Sequence, residues 1–220
     1  MDFSPVLISA KTASASIFFT FFAGLFAAHG VVTLRNQKAK IIIDSILTLP
    51  MVLPPTVAGF FLLYIFGMRG FFGKLFLDFF SIKIAFSWGA TVIAAFVISF
   101  PLMYRSARGA LEQVNNTLLQ AGRTLGLSET TIFWKIIFPA ALPGIASGGI
   151  LAFARGLGEF GATAMIAGNI AGTTRTLPLA IYSEVAAGNM DKAGIYVIII
   201  LLFSFIVVAA MNYFTGKEKK

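Results

Sequence analysis

The sequence predicts an all-α protein, a polytopic membrane helical bundle with five transmembrane helices and one additional cytoplasmic helix. Three observations favour this class: 58% of the 220 residues are hydrophobic, only 12% are charged, and the mean hydropathy is +0.88. Soluble domains average about 45–50% apolar and about 25% charged residues. Because so few charged side chains cannot cover so much apolar surface, we expect much of that surface to face lipid.

Composition also excludes several kinds of site. The chain has no cysteine and a single histidine, His29, so it offers neither thiolate ligands nor a histidine cluster for a metal ion. The run Gly70–Lys74 differs from a phosphate-binding loop in spacing and lacks the final hydroxyl residue. We therefore predict no enzymatic activity and no metal site. The net charge of +8 is expected to reflect loops beside a membrane and not nucleic-acid binding.

Five stretches without charged residues define the predicted spans, since crossing the hydrocarbon takes ~20 apolar residues. A shorter uncharged stretch, 160–174, is expected to be a re-entrant or external segment. The whole chain, 1–220, is predicted to be one transmembrane domain. The predicted spans are about 12–34, 45–68, 84–104, 136–158 and 193–215.

The loop charges predict the orientation. Ten of the 17 Lys and Arg residues fall in the three segments that follow the first, third and fifth spans. Because basic residues accumulate in cytoplasmic loops, we expect the amino terminus outside and the carboxyl terminus inside the cytoplasmic membrane. The ten residues are Arg35, Lys38, Lys40, Arg105, Arg108, Arg123, Lys135, Lys217, Lys219 and Lys220.

The long inner segment 105–139 has a pattern typical of two capped helices. Apolar residues recur at helical spacing from Val114 to Leu125. Gly126 follows, where a helix end favours a residue that tolerates positive φ, and Ser128 is suited to cap a second helix. The pattern alone also fits an amphipathic hairpin on the membrane surface.

The same segment resembles the EAA loop of ABC importer permeases. That family pattern reads Glu-Ala-Ala, three residues, Gly, nine residues, Ile-x-Leu-Pro. This chain keeps the spacing and departs from the pattern at Gln120, Gly122 and Phe138. The resemblance implies that this loop docks on a cytoplasmic ATPase. The coupling residues it implies are Gln120, Ala121, Gly122, Gly126, Ile136, Phe138 and Pro139.

Other runs resemble the permease subunits of molybdate importers in particular. They are residues 49–55, 99–103, 152–162 and 174–178. Sulfate permeases are similar in the third run but usually carry Tyr and Ser where this chain has Phe160 and Ala162. The resemblance therefore implies molybdate or tungstate as the transported anion, with sulfate or another small solute as the alternative. A channel or an intramembrane enzyme is a further alternative, which would not need the coupling loop.

Five residues are predicted to line the translocation pathway. Pro50, Pro54 and Pro55 must kink or break the second span, because proline removes backbone donors. Freed carbonyls are tolerated in a membrane only inside protein or beside water, so the break either faces the pathway or is a packing kink. Arg155 and Glu159 lie one helical turn apart in the fourth span, where charges usually face a pathway or a partner. They form either an oxyanion site or a structural ion pair.

The resemblance also implies the assembly and its mechanism. Two copies of the chain form a homodimer, which binds two ATPase subunits and an extracytoplasmic molybdate- or tungstate-binding protein. The chain needs no cofactor of its own, since ATP and Mg²⁺ are bound by the ATPase. Transport then proceeds by alternating access, driven through the 120–139 loop.

Overall fold

The computed structural model describes residues 2–216, with side chains up to residue 209, so the predicted cytoplasmic residues Lys217, Lys219 and Lys220 lie outside the described residues. Every regular element in this part of the chain is helical, and one π-helical turn, Phe133–Ile137, connects α7 to α8. The helices are α1 (Ser4–Thr33), α2 (Gln37–Val52), α3 (Pro55–Phe66), α4 (Phe71–Phe80), α5 (Trp88–Glu112), α6 (Asn116–Thr124), α7 (Glu129–Ile132), α8 (Phe138–Leu157), α9 (Gly161–Ile166), α10 (Leu177–Ala186) and α11 (Met190–Gly216).

Up to five segments are long and apolar enough to cross a membrane. Four are α1, α5, α11 and the continuous helix Glu129–Leu157, which joins α7, the π-helical turn and α8. The fifth is the pair α2 and α3, between which the direction of the helix axis bends by 110°. The chain is therefore a multi-pass membrane protein.

The helices α1, α5 and α8 form the centre of the bundle. Hydroxyl groups join α1 to α5, Thr12 to Thr91 at 2.8 Å and Thr20 to Ser99 at 3.2 Å. Because both pairs are 79 residues apart in sequence, the two helices run parallel, with their carboxyl ends on the same side of the bundle. Small residues let α8 approach α5 closely: a β-carbon on Gly144 would lie 2.7 Å from the Ala110 β-carbon.

The proline-rich run breaks the second span, as proline chemistry predicts. Pro50 lies inside α2, Pro54 precedes α3 and Pro55 is its first residue. Proline at the first position of a helix is favourable because its missing N–H would have no partner there. The two halves are therefore separate helices and not one kinked span.

Several helices extend beyond the predicted spans. The helix α1 begins at Ser4, and α5 continues to Glu112. The helix α2 begins at Gln37, because the Asn36 side chain accepts hydrogen bonds from the Lys38 and Ala39 N–H groups. The uncharged stretches mark where the sequence suits hydrocarbon, whereas capping residues mark where the backbone stops being helical.

The segment after α8 is folded back into the bundle. The short helix α9 packs between α3 and α5, and a β-carbon on Gly59 would lie 2.7 Å from the Ala162 α-carbon. The helix α10 then packs against α11 around Leu177, Ala180 and Tyr196. The predicted re-entrant or external segment, 160–174, therefore contains the buried short helix α9 and part of the loop that leads to α10. The segment between the second and third predicted spans also contains a helix, α4.

Candidate functional site

The proposed coupling residues lie on a capped helix at the inner end of the bundle. The Asn115 side chain accepts a hydrogen bond from the Thr117 N–H at 2.8 Å and so begins α6. Gly126 ends the helix with φ +76°. Its N–H donates to the Arg123 carbonyl at 2.9 Å, and the next N–H, of Leu127, donates to the Gly122 carbonyl at 3.1 Å. This pair of bonds is a Schellman motif, which satisfies two carbonyls that the helix end leaves open.

Two further contacts fix the turn after α6. The Ser128 side chain accepts a hydrogen bond from the Thr131 N–H at 3.2 Å, as expected of a helix cap. Arg123 donates two hydrogen bonds to the Glu129 carboxylate, at 2.7 and 3.1 Å. These bonds raise the pKa of the Arg123 guanidinium, which stays charged. The turn between α6 and α7 is therefore held by backbone and side-chain bonds together.

Apolar residues are exposed on and just after α6. The residues that the spacing places on one helical face include Leu118, which is 50% exposed, Leu125, which is 78% exposed, and Ala121, which is exposed as well. The residue that packs inward is Gly122, where a β-carbon would lie 3.1 Å from the Ile136 side chain. The glycine that replaces alanine in the family pattern thus lets α6 lie close to the following helix. Leu125 is exposed just after α6, whereas the half-exposed Leu118 lines a groove together with residues of α5 and α8.

The second half of the coupling motif lies at the entrance to α8. Ile136 and Phe138 are half-buried, and Pro139 is exposed. Pro139 has no N–H to donate, and the helix just before it widens so that the Phe138 N–H donates to the Phe133 carbonyl, five residues back. A π-helical turn of this kind is rare and frequently marks a functional region. It joins α6 and α7 to a continuous helix that reaches the opposite side of the bundle.

Arg155 and Glu159 form an ion pair at the carboxyl end of α8, with 2.9 Å between Arg155 Nη1 and Glu159 Oε2. The expectation that both lie on one helix is wrong, because α8 ends at Leu157 and Glu159 lies in the break before α9. There Glu159 is only 2% exposed, and its Oε1 accepts a hydrogen bond from the Ala162 N–H at 2.7 Å. The carboxylate therefore holds the amino end of α9 as well as the guanidinium.

A cleft brings three of the predicted pathway residues together. It has a volume of about 270 Å³ and is lined by Arg155, Glu159 and the start of α3, Pro55 and Thr56. The break in the second span thus lies beside the ion pair. Pro50 and Pro54 are not among the residues that line the cleft; Pro50 lies further along α2 toward the inner side.

The inner ends of α2 and α5 are joined by a polar network that was not predicted. Asp44 accepts hydrogen bonds from the Tyr104 hydroxyl, at 2.8 Å, and from Arg108. Glu112 in turn binds Arg108 at 3.0 Å and Lys40 at 2.9 Å. Only the spacing of Arg108 and Glu112, one turn apart on α5, signals a contact in the sequence, since the other pairs join residues 60 or more positions apart.

Comparison with known proteins agrees with this geometry. Residues 20–220 match the family model described as binding-protein-dependent transport system inner membrane component. The molybdenum transport system permease protein ModB of Escherichia coli (strain K12) is 45% identical over 203 residues, which are 91% of this chain and 88% of that protein. The putative molybdenum transport system permease protein YvgM of Bacillus subtilis (strain 168) is 38% identical over 217 residues, which are 99% of this chain and 93% of that protein.

The fold agrees with a solved transporter. A chain in an inward-facing structure of the MetNI methionine ABC transporter superimposes with a TM-score of 0.75 and 19% identity, over 97% of this chain and 94% of that chain. The chain therefore shares its overall fold with that transporter chain. The chain is a member of the family of binding-protein-dependent transport system inner membrane components.

Proposed function

We propose that this chain is the membrane-spanning subunit of an ATP-driven importer for molybdate or tungstate. The relatives named for molybdenum transport are 45% and 38% identical over most of the chain, and this similarity supports the substrate. The coupling role is supported by the exposure of apolar residues on and just after α6, Leu118, Ala121 and Leu125. An apolar surface outside the lipid is typical of a protein–protein contact.

The partner of this surface is a cytoplasmic ATPase. The chain lacks a phosphate-binding loop, so ATP and Mg²⁺ bind to the ATPase and the chain itself catalyses no reaction. Two copies of the chain form the pathway, each with one ATPase, and an extracytoplasmic binding protein delivers the anion. The amino terminus is outside and the carboxyl terminus is in the cytoplasm, as the loop charges predict.

The coupling route follows the helices. Movement of the ATPase displaces α6, which is held to α7 by the Arg123–Glu129 pair and to the next helix by Gly122. From Glu129 the helix is continuous to Leu157, so the displacement reaches Arg155 at its outer end. The ion pair and the start of α3 line one cleft, so this movement changes the cleft that admits the anion.

The test is the ATPase activity of the reconstituted complex with its binding protein. We expect binding protein loaded with molybdate or tungstate to stimulate hydrolysis, and protein loaded with sulfate to do so less. Stimulation by sulfate alone would favour the sulfate importer. Anion flux without ATP would favour a channel.

A further inference from the structure

A second cavity lies at the inner half of the bundle, between α5 and α8. It has a volume of about 870 Å³ and is distinct from the outer cleft. Arg105, Ser106 and Gln113 line it from α5, and Gly144 and Ser147 line it from α8.

The groove has a mixed lining, and its α5 residues follow the predicted third span, 84–104, so they are expected outside the hydrocarbon. The outward faces of α1 and α11 carry large apolar side chains such as Phe26 and Phe205, which are exposed and suited to hydrocarbon. The groove carries five polar side chains among smaller apolar ones; the polar residues are Arg105, Ser106, Gln113, Asn115 and Ser147. Arginine and backbone-exposing small residues are costly in hydrocarbon unless they face water or protein. The groove is therefore suited to be part of a water-filled path.

Arg105 differs in its ion pairing from Arg155, which lines the cleft, and from Arg108, which belongs to the polar network between α2 and α5. Arg155 is paired with Glu159, and Arg108 with Asp44 and Glu112. In the part of the chain that the structure describes, Arg105 forms no ion pair with a carboxylate. An anion in the groove could therefore approach Arg105 without breaking a direct ion pair, although Arg105 also stabilises the nearby Asp44 carboxylate electrostatically.

The groove and the outer cleft lie along the same face of α8. Gly144 and Arg155 are eleven residues apart, which places them within roughly 20° of each other around the helix and ~16 Å apart along it. Gly148 of α8 is packed directly on Ser106 of α5, the neighbour of Arg105. Since Arg155 is seven residues beyond Gly148, Arg105 lies ~10 Å inward of Arg155 along the helix axis.

We infer that Arg105, with the hydroxyls of Ser106 and Ser147 and the amide of Gln113, forms an inner binding site for the transported tetrahedral oxyanion. This inference rests on the import function proposed above. An anion at Arg155 competes with Glu159, so it is released readily, and Arg105 lies further along the same face without a directly paired carboxylate. The hydroxyl and amide groups donate hydrogen bonds to oxyanion oxygens. The groove is wide, so it holds the anion briefly on its way to the cytoplasm.

The test uses the reaction rates of one introduced cysteine to compare the local electrostatic potential between variants. A single introduced cysteine reacts without background because the native chain has no cysteine. Ser147→Cys is introduced into the complex with the ATPase. Its labelling rates are compared for a sulfonate-bearing and a trimethylammonium-bearing methanethiosulfonate reagent. We expect the anionic reagent to be favoured, and Arg105→Gln to lower the anionic-to-cationic rate ratio about fivefold, as removal of a unit charge ~8 Å away in water predicts. Arg105→Lys should preserve the ratio.

Molybdate and tungstate should slow labelling of this cysteine when Arg105 is present and not in Arg105→Gln. Leu142→Cys, which is exposed on the opposite face of α8, is the matched control and should react with neither reagent. A Ser147→Cys variant that neither reagent labels, or a rate ratio that Arg105→Gln leaves unchanged, would overturn the inner site. A complex whose ATPase responds to no loaded binding protein would instead count against the import function, because the labelling ratio does not depend on transport.

Discussion

Replacing Gly126 by valine tests whether the turn after α6 connects the ATPase to the pathway. A β-carbon on Gly126 would have nothing within 4 Å, so the substitution causes no collision. Its effect comes from the backbone, because φ is +76° and a side chain makes that conformation unfavourable by about 1–2 kcal/mol. This energy favours loss of the Schellman turn by about 5- to 30-fold. We expect α6 to lose its orientation relative to α7 while the spans still insert.

The assay is binding of the ATPase to the purified variant, followed by hydrolysis with loaded binding protein. Gly126→Val should weaken docking or abolish the stimulation, whereas Gly126→Asn should retain both, because asparagine tolerates positive φ. Gly188→Val is a matched control: Gly188 ends α10 with φ +77°, also with nothing within 4 Å of a β-carbon. It lies at the start of α11, at the opposite end of the bundle from α6, so it should destabilise the fold equally without uncoupling. If Gly126→Val transports at the wild-type rate with normal docking, α6 is not the coupling element.

Three other substitutions test the pathway, the inner network and the orientation. Glu159→Gln should leave the complex assembled but reduce anion uptake, because Arg155 without its carboxylate partner holds the anion more tightly. Normal uptake at normal expression would leave only a structural role for the Arg155–Glu159 pair. Asp44→Asn should weaken the attachment of α2 to α5, since it removes charge-assisted hydrogen bonds from Tyr104 and Arg108. We expect the melting temperature of the complex to fall by a few degrees, and an unchanged melting curve would contradict this. A cysteine at Ser4 or Thr173 should react with an impermeant thiol reagent from outside, and one at Asn116 only from inside; labelling of Asn116→Cys from outside would reverse the orientation.

The local features of this protein were predictable because each depends on neighbours in sequence. Hydropathy identified the membrane class and the segments that suit hydrocarbon. Gly126 and Ser128 predicted a helix end and a new cap, because positive φ and a side-chain oxygen act within a few residues. Three prolines predicted the break in the second span for the same reason.

Features that depend on packing between distant segments were not predictable from patterns. The sequence places Arg155 and Glu159 at helical spacing, but the helix ends between them, because Glu159 is held by the Ala162 N–H of the next helix. The apolar spacing around α6 predicted one helical face, but periodicity alone cannot tell whether the partner of such a face is the same chain or another protein.

Which residues line the cleft and the groove depends on the tertiary structure alone. Pro55 and Arg155 line one cleft, and Arg105 lines one groove with residues of α8, only because helices far apart in sequence pack side by side. The sequence by itself determined the membrane class, the apolar segments and the turn at Gly126 and Ser128, since these depend on solvent and on local backbone preferences. The helices α4, α9 and α10, in contrast, emerged only in the tertiary structure. Which charged groups meet depended on the helix packing, because contact between side chains many residues apart is set by close approach at small residues such as Gly144 and Gly148.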